Sequence, residues 1–227
     1  MKNQKRFNPI VILLFIISAC TTSTYQGKPF TDQVYTKGIQ TIPGHLECEY
    51  FDLGGEGISY HDTDSTNSGS GALNPVDGSY LHEFRIHEAV DISYVKFSDQ
   101  AIDNNPFNFV EPIENQLYVG WTEPGEWLKY TVDVKKTGTY QLGLMYTSNQ
   151  DGAISISVND ADITGEIFIP NTYVAEDSLA WRQWHHWNYL GNMARVELKE
   201  GIQVLTLHTI DIGQMNYEHI DFTLIEE

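Results

Sequence analysis

Tyr118-Val119-Gly120-Trp121-Thr122-Glu123-Pro124-Gly125-Glu126-Trp127-Leu128-Lys129-Tyr130-Thr131-Val132 decides the fold, because a turn carrying one Trp runs into a strand carrying another. From Trp127 the side chains alternate. Leu128, Tyr130, Val132 and Val134 point one way, and Trp127, Lys129, Thr131 and Asp133 the other. Trp127 therefore belongs to the polar set, on the face that an antiparallel sheet shows to water. An exposed indole is what a sugar ring stacks on; the alternative is that both Trp residues are packed under loops, as Trp usually is.

Outward from this strand, the chain reads as short strands separated by turns. Strands are expected over 46–51, 127–134, 139–146, 153–158, 194–198, 204–209 and 217–224. Lys136-Thr137-Gly138, Gln150-Asp151-Gly152, Asn159-Asp160 and Lys199-Glu200-Gly201 mark the turns between them. Tyr140, Leu142, Leu144 and Tyr146 share one face, as do Ile154, Ile156 and Val158 with Ser155 and Ser157 opposite. Such half-buried antiparallel strands at close spacing imply an all-β sandwich or jelly roll of two sheets. The Ser/Gly/Asn-rich stretch 65–73 and the Asn/Asp/Pro-rich stretch 99–114 read as long surface loops.

The N-terminus carries Lys2, Lys5 and Arg6, then the apolar run 10–17, then Ser18-Ala19-Cys20. Residues 1–19 read as an export signal too short to span a bilayer, and Cys20 as the lipidated first residue of a mature lipoprotein. Residues 20–43 then form a tether and 44–227 the domain. Cys48 is the second of two cysteines, so with Cys20 lipidated it has no intrachain partner and no disulfide is expected. Without the three leader cations the charge moves from −18 to near −21, ten basic residues against 31 acidic. That surface argues against nucleic acid and leaves neutral ligands or cations, with the N-terminal lipid as the only membrane contact.

Glu47 and Glu49 are two apart on an expected strand, and Glu218 shares a side with Ile220, Phe222 and Leu224. Three carboxylates suit a hard ion such as Ca²⁺, although three solvated acids at strand ends account for the same pattern. Trp181-Arg182-Gln183-Trp184-His185-His186-Trp187 crowds three Trp and two His into one segment. His185 and His186 point to opposite faces of an extended chain, so they do not hold one metal together. Asn216 precedes the last expected strand, where its amide can reach a ligand's hydroxyls. Glu123 and Glu126 are the acid pair nearest the aromatics and the candidate residues of an alternative, a jelly-roll glycoside hydrolase or polysaccharide lyase.

Five motifs in this order resemble the family 6 carbohydrate-binding modules: Leu46-Glu47-Cys48-Glu49-Tyr50-Phe51-Asp52; Gly57-Ile58-Ser59-Tyr60-His61-Asp62-Thr63-Asp64; Val119 through Tyr130; Trp181-Arg182-Gln183-Trp184; and Asn216-Tyr217-Glu218-His219-Ile220-Asp221-Phe222. The resemblance implies a jelly-roll β-sandwich of two antiparallel sheets, without catalytic activity, that binds glycans in a loop cleft. It implies Trp121 and Trp181 as aromatic walls of that cleft, Asn216 as its polar anchor, and Trp127 at a second site on the sheet face. It also implies Glu47, Glu49 and Glu218 at one structural Ca²⁺ site, with Glu218 in place of the usual Asp. A stretch at 93–117, through Asn104-Asn105-Pro106-Phe107-Asn108-Phe109, is longer than is common in the family. The expected protein is thus a stand-alone lipoprotein of the cell envelope, at the outer membrane, holding a neutral glycan such as xylan, β-glucan or an agar-type polymer. Glycan-degrading enzymes or uptake proteins are its expected partners; a structural component of a glycan-uptake complex, with its Trp residues buried, is the remaining alternative.

Overall fold

The computed structural model describes residues 25–98 and 101–227. The leader and Cys20 lie outside the described residues. One sheet has seven strands. Its path runs β1 (Gln40–Ile42), β6 (Trp127–Val134), β12 (Gly201–Asp211), β8 (Gly152–Val158) and β10 (Ile167–Ile169), with β3 (Tyr60–His61) on β6 and β9 (Ala161–Asp162) on β8. The second sheet has six, in the order β11 (Asn188–Leu198), β7 (Gly138–Ser148), β13 (Met215–Glu226), β5 (Leu117–Thr122) and β4 (Ile92–Tyr94), with β2 (Gly44–Glu47) on β13. The two sheets make a jelly-roll β-sandwich, antiparallel throughout except where β1 runs parallel to β6.

The alternation expected of β6 is what the sandwich buries. Leu128, Tyr130, Val132 and Val134 are all in the core with Leu142, Leu144, Ile154, Ile156, Leu205, Leu207, Ile220 and Phe222. Trp127, Lys129 and Asp133 are half-buried on the opposite face. Thr131 is more enclosed than its neighbours because Asp52 receives both its amide (2.9 Å) and its hydroxyl (2.6 Å).

Three expectations require correction. Residues 28–42 are part of the domain and not of a tether: Lys28 bridges Leu53, Phe30 is buried beside Tyr35, Tyr50 and Phe84, and β1 extends the sheet at β6. The expected strand at 46–51 ends at Glu47, and Cys48–Tyr50 turns as a short 3-10 helix. The stretch 65–73 is not a free surface loop. Ser68–Leu73 coils against β4, with the Ser70 hydroxyl on the Ile92 carbonyl (2.7 Å). A β-carbon on Gly69 would lie 2.1 Å from that same oxygen, so glycine there answers a close backbone approach.

Candidate functional site

The loops at the Trp121 end build a cleft of about 410 Å³, lined by Trp121, Ser68, Leu73, Gln214 and five carboxylates, Asp62, Asp64, Asp91, Glu123 and Glu126. Trp121 closes β5 in the left-handed region (φ 49°), and Gln214 across the cleft is left-handed too (φ 63°). Each such non-glycine residue costs on the order of 1–3 kcal/mol and persists only where its surroundings hold it. At Trp121 the holder is Asn216.

Asn216 is fully buried. Its Oδ1 accepts the Trp121 amide (3.1 Å), and its Nδ2 donates to Thr147 Oγ1 (2.8 Å) and His185 Nδ1 (3.0 Å). Because Nδ1 accepts, the His185 proton sits on Nε2, which meets Asp103 Oδ1 at 2.6 Å. Asp103 also takes the Trp187 indole N–H (2.8 Å) and the Lys96 amide (2.6 Å). Burial alone would raise the Asp103 carboxyl, but the hydrogen bond from His185, joined by those from the Lys96 amide and the Trp187 indole, leaves it below the usual range. A buried relay thus runs from Asp103, in the long 93–117 connection, through His185 and Asn216 to the backbone of Trp121. Gly120 sits within it: a β-carbon there would press the Asn216 oxygen at 2.8 Å.

The acids in the cleft behave differently. Burial first, then the neighbouring Asp62, Asp64 and Glu126 charges, push Asp91 up to about 7 against the bond it accepts from the Ser68 amide. Glu126 is also raised by burial, although its carboxylate braces the loop: Oε1 accepts from Thr63 N (3.1 Å) and Thr63 Oγ1 (2.8 Å), and Oε2 from Glu123 N (2.7 Å). Both oxygens of the proposed acid partner of Glu123 are therefore engaged in holding backbone.

The other expected residues fall elsewhere. Trp181 stands on the turn Ala180–Arg182, 52% exposed, and is not among the residues lining this cleft. Its segment is a turn and not the extended strand that a parity argument assumes. His185 and His186 are both buried, His186 on Asp177 (3.0 Å) and the Thr172 carbonyl (3.0 Å). Trp127 lies on the outer face of the seven-stranded sheet, opposite His208, with His61 6.3 Å away and Lys129 Nζ 5.5 Å from its ring.

Glu47, Glu49 and Glu218 gather at the β2–β13 edge. Gln116 Nε2 bridges Glu47 (3.0 Å) and Glu49 (3.3 Å), and Glu218 Oε2 meets His219 Nδ1 at 2.5 Å. Burial and then its neighbour Glu47 hold Glu49 well above the ordinary carboxyl range, and burial and then Glu218 raise Glu47. Glu49 is completely enclosed, and its Oε2 has no hydrogen-bond partner. That orphaned oxygen in an all-oxygen donor set fits a hard cation. The register shift on β13 between Tyr217 and His219 places Glu218 in a bulge, which the simple alternation with Ile220 could not show.

The relay from Asp103, the left-handed Trp121 and the brace of Glu126 were missed because their partners are some 60 to 95 residues apart in sequence. Gly120 beside Asn216 leaves no sequence signal of its own.

Together, the two-sheet sandwich and its end-loop cleft define a β-sandwich binding module. The chain belongs to the carbohydrate-binding modules of family 6, whose sequence profile matches residues 104–224, more than half its length. Three of the five motifs fall inside that match; those at 46–52 and 57–64 precede it. Among solved structures, the chain is similar to a family 6 module from Clostridium stercorarium in complex with cellobiose (10% identity, 84% of this chain and 100% of that one, TM-score 0.46). It is similar to a β-1,3-glucan-binding family 6 module from Bacillus halodurans (12%, 81% and 98%, TM-score 0.45). It is also similar to a cycloisomaltooligosaccharide glucanotransferase from Paenibacillus sp. complexed with cycloisomaltoheptaose (15%, 79% of this chain, TM-score 0.41), spanning 18% of that chain's length. No curated protein sequence matches.

Proposed function

We infer that this module binds a glycan without cleaving it, by stacking a sugar ring on Trp121 in the end-loop cleft. The observation that carries the reading is an indole held by a buried relay at the wall of a cleft whose remaining lining is mostly polar. A sugar has an apolar C–H face for the indole and equatorial hydroxyls for carboxylate and amide acceptors. Five carboxylates and no basic residue line the cleft, which disfavours acidic glycans and suits neutral ones such as xylan, β-glucan or agar-type polymers. Asn216 acts beneath the site, positioning Trp121 rather than touching the ligand. Trp181 offers a further exposed indole on the Ala180–Arg182 turn, and Trp127 a weaker second site on the sheet. The engagement of both Glu126 oxygens supports a non-catalytic role.

Retention of the full chain on immobilised xylan, β-1,3-glucan, cellulose-type and agar-type glycans tests this, with a polyuronate as the acidic control. At least one neutral glycan is expected to retain it, and Trp121→Ala to weaken that binding about 100-fold, within the range of a central aromatic anchor. Retention of Trp121→Ala at the level of the parent chain overturns the assignment. A smaller loss is expected for Trp181→Ala.

Calcium at Glu47, Glu49 and Glu218 is the structural part of this proposal. Its expected signature is a Tm that falls on adding chelator and recovers with Ca²⁺, and a chelator response that disappears in Glu49→Gln. A Tm indifferent to chelator excludes the ion. Lipidation at Cys20 and placement at the outer membrane complete the reading; metabolic labelling with a fatty-acid probe, lost in Cys20→Ser, checks them.

A further inference from the structure

The register of β2 against β13 places His45 directly opposite Asp221, and the period of two puts His219 on the same face of β13 as Asp221. Leu46, Ile220 and Phe222 face the core, so this face is the outer surface of the six-stranded sheet. His45 Nδ1 lies 2.6 Å from Asp221 Oδ1, and His219 Nε2 lies 3.7 Å from Asp221 Oδ2. Among the described residues, these three form the group of His, Cys or acidic side chains whose ligand atoms all lie within 4.8 Å of one another.

Two further contacts give the group the supports of a metal centre. The far nitrogen of His219, Nδ1, is met by Glu218 Oε2 at 2.5 Å, which turns Nε2 toward Asp221. Asp221 Oδ2 receives the Tyr189 hydroxyl at 2.6 Å from across β7. That reach is possible because the residue between them is Gly143: a β-carbon there would lie 2.2 Å from the Tyr189 oxygen. Carboxylate and hydroxyl partners of this kind fix ligand orientation in metal sites.

We propose that His45, His219 and Asp221 form a site for a divalent transition metal such as Zn²⁺, separate from the carboxylate cluster beside it. Two imidazoles and one carboxylate are the donors that borderline cations prefer over Ca²⁺. Donors about 2.0–2.1 Å from a tetrahedral ion stand about 3.3 Å apart, between the two separations above, so small side-chain rotations admit the ion. The half-exposed edge leaves the fourth position to water or to a group from a partner.

The test is calorimetric titration of Zn²⁺ into the full chain, with saturating Ca²⁺ to occupy the carboxylate cluster. One-to-one binding is expected, weakened at least ~10-fold in His45→Ala and in His219→Ala, and about 10-fold in Tyr189→Phe. Co²⁺ in place of Zn²⁺ should give visible absorption that His45→Ala abolishes. His45 lies at the solvent edge, so its variant reads the site without threatening the fold. No Zn²⁺ binding by the parent chain, or undiminished binding in both histidine variants, overturns the proposal.

Discussion

Trp121 and Trp127 stand six residues apart in one segment, yet they are held in opposite ways. Trp127 owes its position to strand period: Leu128 beside it turns into the core, and Trp127 faces outward among His61, Lys129 and His208. Trp121 owes its position to a left-handed backbone gripped by a buried amide, which rests on His185 and Asp103 far along the chain. A residue placed by period can be changed without consequence for its neighbours. One placed by a relay inherits every weakness of that relay.

The largest expected effect breaks the relay. His185→Leu leaves the Asp103 carboxylate buried without its main partner and an Asn216 donor unmet, a loss of about 3–4 kcal/mol in denaturant unfolding, with glycan retention at Trp121 lost in parallel. A loss below about 1 kcal/mol, with binding intact, would show that Trp121 needs no such support.

A pH series separates the two kinds of carboxylate. Asp91 stands near 7 in the folded protein against an ordinary carboxyl near 4 when unfolded. Between those values the folded state binds the extra proton, so this group makes stability fall as pH rises from about 4 to 7. Asp91→Asn should flatten that decline. Asp103 works in the reverse sense: its carboxyl is depressed, so its contribution is present above the ordinary carboxyl pKa and is lost on acidification below about 4. Thermal melts of the two asparagine variants across this range measure both signs.

The smallest effect belongs to the sheet face. Trp127→Ala is expected to cost less than about 1 kcal/mol, because no buried hydrogen bond depends on its side chain, and to leave retention at the cleft within about twofold. A drop in retention as large as that of Trp121→Ala would move the principal site to the sheet.

The same contrast explains what was legible in the sequence. β6, β7, β8 and β12 could be read because apolar residues recur at every second position with polar or small ones between them, so a two-residue period survives in the letters even where both faces are covered. β5 was read as a turn because five of its six residues are buried, leaving no alternation to see. β1 is three residues long and pairs parallel with a strand some 90 positions away, so its role depends wholly on a distant partner. The acids Glu47, Glu49 and Glu218 were visible as a group through their resemblance to a family pattern, and the structure adds the enclosure of Glu49. The anionic lining of the Trp121 cleft draws on Asp62, Asp64 and Asp91, a set that no local motif brings together.

The bridge from Lys28 to Leu53 has a consequence for reach. With Cys20 as the proposed lipid anchor, seven residues lie between it and Lys28, the first backbone contact of the domain. Even fully extended, that stretch spans at most roughly 30 Å. The module would then ride within about its own diameter of the bilayer, searching a thin shell of envelope rather than sweeping freely, and long polymers threading past that surface would meet it more readily than small sugars in the bulk.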